Sequence, residues 1–60
     1  MVSLARIDRI AEISSKIRLL GFQERRAEAA EIWPLANRLQ AEIRELDDER
    51  IAVVRALRFN

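Results

Sequence analysis

The chain of 60 residues contains no cysteine, no histidine and no tyrosine, and only one glycine, one proline and one tryptophan. Each shortage removes a class of chemistry. Without cysteine there is no disulfide framework and no thiol nucleophile, and without histidine as well there is no zinc site of the Cys/His type. Nor is there an imidazole to act as a base near neutral pH. One glycine excludes the glycine-rich phosphate loops, which need several at fixed spacing. The longest apolar run, Ile51-Ala52-Val53-Val54, falls far short of the roughly 18–20 apolar residues that a membrane-spanning helix requires. The opening Met1-Val2-Ser3-Leu4-Ala5-Arg6 leads straight into charge, so no signal-peptide core is expected. Absence of cysteine suits a reducing compartment, and a cytoplasmic location is the expectation.

What remains is a globular balance of 50% apolar and 35% charged residues, too hydrophobic for a disordered segment. The length suits one small helical domain spanning residues 1–60. Eleven cations, all arginine except Lys16, face ten acids, for a net charge of +1. The signs alternate along the chain, as in Arg6, Asp8, Arg9, Glu12, Lys16 and Arg18. Such alternation describes a solvated, ion-paired helix surface better than a phosphate-binding face.

Periodicity is the strongest signal. Ile10, Ile13, Ile17 and Leu20 recur at steps of three and four, with Leu4 and Ile7 widening the stripe. The pattern predicts an amphipathic helix over about residues 3–20, with Ser3 as its N-cap and Asp8 near its positive end. Lys16 and Arg18 would then approach its negative end. Gly21 follows the last stripe residue, where a left-handed C′ position suits glycine, and Phe22 would fold back on Ile17 or Arg18. A glycine tolerated inside a continuing helix, at about 1 kcal/mol, is the rival reading.

A second repeat runs through Ala29, Ile32, Ala36, Leu39, Ile43, Leu46, Arg50, Val53 and Leu57 at coiled-coil spacing. It predicts a long helix over about residues 23–58. Pro34 interrupts it, and Asn37 with Gln40 resembles a capping box. The stripe nevertheless keeps its phase across the proline, which favours a kink over a reversal. The expected fold is therefore all-α: a helical hairpin turning at Gly21, its long arm kinked near Pro34, dimerising into a four-helix bundle. A compact three-helix unit, reversed also at Pro34, is the alternative.

The apolar faces are wider than a two-stranded seam needs, because Leu19, Leu35, Ile51 and Val54 lie beside the stripes. The interface expected from this pattern comprises Leu39, Ile43, Leu46, Val53 and Leu57, with Trp33 as an anchor. Arg50 sits where an apolar residue belongs, either reaching past the seam to water or pairing with Asp47, Glu49 or a facing carboxylate. Glu42, Glu45, Asp47, Asp48 and Glu49 read as a solvated face, so no metal or other cofactor is expected. Arg25, Arg26, Arg55 and Arg58 are the candidates for nucleic-acid contact.

Three likenesses can be stated. Leu39–Leu57 resembles the opening helix of AroQ-type chorismate mutases, although Gln40 stands where that family carries an arginine. Leu20-Gly21, Ala27, Ala30 and Trp33-Pro34 resemble part of a tetratricopeptide repeat. In size and hairpin plan the chain is similar to small RNA-binding bundles of the Rop type. The expected function is a non-enzymatic interaction module, either a homodimer or an accessory subunit on a larger protein. A Rop-like nucleic-acid-binding regulator is the alternative. No membrane association and no small-molecule substrate are expected.

Overall fold

The stripe of Ile10, Ile13, Ile17 and Leu20 does not end at Gly21. Two further steps along the same face bring it to Ala27, which is buried, and the helix continues with it. In the computed structural model, which describes residues 4–58, α1 spans Leu4–Ala29 and α2 spans Trp33–Arg58. Each helix has 26 residues, or about 39 Å at 1.5 Å per residue. The two pack antiparallel along their length, giving a rod of 47 × 14 × 11 Å that is two helices wide and one helix thick.

The reversal between the helices is set by backbone hydrogen bonds. Ile32 N donates to Ala27 O at 2.9 Å and Glu31 N donates to Glu28 O at 3.0 Å. These two bonds form a Schellman motif, satisfying carbonyls that the end of α1 leaves unpaired. The motif requires a left-handed residue, and Glu31 supplies it with φ 59°. An L-residue there bears a steric cost of about 1–2 kcal/mol that glycine avoids. Pro34 follows at the start of α2. Ala36 N donates the first helical bond of α2, to Ile32 O at 3.0 Å. Pro34 thus lies among the first-turn residues whose N–H groups have no intrahelical partner, where a missing donor forfeits nothing.

These facts correct several sequence expectations. Gly21 is neither a turn nor a C′ residue: it lies inside α1 with no positive φ. The helix of about 3–20 is longer by some nine residues, and the arm of about 23–58 is not one kinked helix but the end of α1, a tight turn and α2. Among the described residues the chain reverses once, so the three-helix alternative does not form. Asn37 is an exposed residue within α2 rather than a cap. Phe22 points outward, 59% exposed, and Lys16 and Arg18 lie mid-helix, leaving Arg26 in the last turn of α1. The apparent phase across Pro34 is a coincidence of turn length, because Ala29 and Ile32 are both exposed. Ser3 lies outside the described residues.

The core is a single seam. Ile13 is fully enclosed, and Ala27, Ala36 and Leu39 are buried near the turn with Leu20 packed against them. Small residues at 27 and 36 let the two backbones close together where the turn begins. Toward the open end the seam is only half-buried, at Ile10, Ile17, Ile43, Leu46, Val53 and Leu57. Two helices can cover only one side of each stripe.

Candidate interaction surface

A hairpin one helix thick has two broad sides, and the flanking residues of each helix decide what each presents. The first side carries the ion pair that ties the helices together. Arg9 Nε donates to Glu49 Oε1 at 2.9 Å, and its Nη2 donates to the same oxygen. Arg9 also approaches Glu12, at 3.4 Å. The hydrogen bonds that Arg9 donates to Glu49, and then the Glu49 charge, raise the Arg9 pKa above its ordinary value, so the guanidinium stays charged at any accessible pH. Arg6 Nη1 adds a contact of 3.5 Å to Ala56 O. Next to the pair lies an open groove of about 410 Å³, floored by Leu19, Leu20 and Leu46 and rimmed by Lys16, Glu42, Glu45 and Glu49. A second groove of about 360 Å³ continues toward the turn along Gln23, Ala27, Ala30, Leu35 and Leu39.

The other side is different. In an antiparallel helix pair the residues one step beyond the seam face their counterparts on the same side. Since Arg9, Lys16, Glu42 and Glu49 flank one side, the opposite flank carries Ile7, Ser14, Gly21 and Glu28 on α1 and Trp33, Gln40, Asp47 and Val54 on α2. Outside these lie Leu4 and Ile51 toward the open end, with Arg18, Arg25 and Arg44 farther along the rod. Leu4, Ile7, Ile51 and Val54 are all exposed, Leu4 by 75%. They form an apolar patch at the open end of the rod. The charge on this side is muted where it meets the seam, because Arg50 Nη2 donates to Asp47 Oδ1 at 2.5 Å, within the same helix. Arg50 pairs with Asp47 and keeps its side chain 39% exposed, so it also reaches past the seam to water.

The residues expected to form an interface are thus largely consumed by the hairpin itself. Leu39 is buried, and Ile43, Leu46, Val53 and Leu57 are half-buried along the seam with α1. Trp33 opens α2 at 56% exposure, beside exposed Ile32 and Leu35 around the turn. The four arginines are not brought together: Arg25 and Arg26 lie near the turn, and Arg55 and Arg58 in the last turn of α2 at the other end of the rod. Arg26, Arg55 and Arg58 each face a helix C-terminus, where cations complement the macrodipole. Arg25 Nε reaches Gly21 O at 3.5 Å. Phe59 and Asn60 lie outside the described residues.

Among the described residues no polar or charged side chain is buried, so none sits in the dry environment that shifts catalytic acids and bases. Nor do three or more metal-ligating side chains converge among them, and no helix is long and apolar enough to cross a membrane. Sequence reasoning missed the Arg9–Glu49 pair. Its only signal was charge of opposite sign beside the two stripes, which becomes a contact once the turn fixes the register. Compared with protein-family models, curated proteins and solved structures, the chain gives no significant match.

Proposed function

We propose that this protein is a non-enzymatic helical interaction module of the cytoplasm, completed by association either with a second copy or with a larger protein as its accessory subunit. One observation carries the reading: surface left uncovered. The chain exposes 4945 Å², whereas a compact monomer of 7.0 kDa exposes about 4000 Å² by size scaling. The excess of about 900 Å² is close to the roughly 800 Å² that each partner contributes to a standard interface. Exposed large apolar side chains such as Leu4, Ile7, Phe22, Trp33 and Ile51 contribute to the exposed surface. With no cysteine in the chain and no converging metal-ligating side chains among the described residues, association is the source of further burial that supports so small a core.

Thermal unfolding followed by circular dichroism at two concentrations a hundredfold apart tests this. An associating module melts at a higher temperature in the concentrated sample, because binding stabilises the folded state by mass action. An unchanged midpoint, in the absence of any other protein, contradicts the homodimer form of the proposal. Retention of the chain on a specific larger protein then decides for the accessory form.

A further inference from the structure

Resting on the self-association reading, we infer that the second copy packs on the flank opposite the Arg9–Glu49 groove, with the dimer axis along the rod, so that α1 of each copy lies antiparallel to α2 of the other. Two observations point to this flank and this axis.

The first is what each side would bury. Association over the groove would desolvate Arg9, Lys16, Glu42 and Glu49 in both copies, and burying such charges costs more than their pairing commonly returns. The opposite flank carries fewer charges beside the seam, Glu28 and Asp47, and offers Leu4, Ile7, Ile51 and Val54 as exposed apolar side chains. Behind them lie the half-buried edges of the seam.

The second is register. The Arg9–Glu49 and Arg6–Ala56 contacts, with the turn at 30–32, put Ile7 level with Val54. The heptad then sets Ser14 level with Asp47, Gly21 with Gln40 and Glu28 with Trp33. When the axis runs along the rod, each α1 meets the second copy's α2 in the same register. Large apolar side chains then meet each other at the open end, and the small Ser14 and Gly21 make room for the longer Asp47 and Gln40. When the axis crosses the rod instead, α1 meets α1 of the other copy. Ile7 then faces Glu28, setting a carboxylate on the apolar patch. The complementarity selects the first arrangement, an up-and-down four-helix bundle in which every neighbouring pair of helices is antiparallel.

The chain has no cysteine, so introduced thiols report the geometry without interference. Chains carrying Ile7→Cys are mixed with chains carrying Val54→Cys, oxidised, and resolved by non-reducing electrophoresis with sedimentation run in parallel. Both positions are exposed, so the fold tolerates them. The expected result is a two-chain disulfide product that forms efficiently only in the mixture. Efficient product from mixed Ile7→Cys and Glu28→Cys chains identifies the crossed axis, and from Lys16→Cys with Glu42→Cys chains the groove side. Either overturns this inference while leaving self-association standing. Sedimentation at the mass of one chain, with no product from any mixture, removes both.

Discussion

Arg9 and Glu49, 40 residues apart in sequence, share a two-pronged hydrogen bond across the helix pair, with Arg9 Nε at 2.9 Å from Glu49 Oε1. The pair is part-exposed, with side chains 38% and 41% accessible, so its contribution is modest and screened by salt. It closes in the register that the turn sets, and so marks which turn of α1 lies beside which turn of α2. Glu49→Arg sets two cations against each other and is expected to lower the melting temperature by a few degrees in dilute buffer. The double exchange Arg9→Glu with Glu49→Arg should restore most of the loss. At about 1 M salt, where the screening length falls to about 3 Å, the difference between single and double variants should nearly vanish in thermal melts.

Gly21 is a helical residue with open space around it. A Cβ built there meets nothing within 4 Å, and its φ is not positive. Gly21→Ala should therefore stabilise the single hairpin, measured at concentrations too low for association, by about 1 kcal/mol, the ordinary difference in helix propensity. That corresponds to about 4–8 °C for a domain of this size. Were Gly21 a left-handed turn residue, the same change would lower the midpoint.

The turn carries the opposite prediction. Glu31 holds a backbone conformation that suits glycine, so Glu31→Gly should raise stability by up to about 1 kcal/mol. A β-branched residue there, as in Glu31→Val, should lower it by more than that. Pro34→Ala should change stability by less than about 1 kcal/mol, against the roughly 3 kcal/mol expected of a proline inside a helix. Urea titration of the three variants separates these outcomes.

Much of this architecture was legible in the sequence, and the failures have a physical cause. The steps of three and four through Ile10, Ile13, Ile17 and Leu20, and through Ala36, Leu39, Ile43 and Leu46, report helix faces directly, because burial acts on every turn. The two-helix plan followed from them. The position of the turn did not, because local preference and native structure disagree at two places. Gly21 carries the composition of a helix end without being one, and Glu31 ends the helix without glycine. Extending the first stripe past Gly21 to Ala27 was the clue available. The ion pair required the register, and only the turn sets that.

The packing of Ile13 sets the scale of the core. It is the one large side chain fully enclosed among the described residues. Ile13→Val should cost about 0.5–1.5 kcal/mol and Ile13→Ala about 2–5 kcal/mol, enough for the latter to unfold so small a domain at room temperature. Leu39→Ala, beside Ala27 and Ala36, should fall in the same range. Phe22→Ala, on the outer face of α1, should be nearly neutral by the same chemical denaturation.

The central claim is that the folded hairpin leaves an apolar flank that a second molecule covers. Sedimentation equilibrium of the pure chain from micromolar to millimolar concentration addresses it most directly. The account predicts a mass rising to twice the 7.0 kDa of one chain. A single species at 7.0 kDa throughout, folded and without a partner, would contradict it.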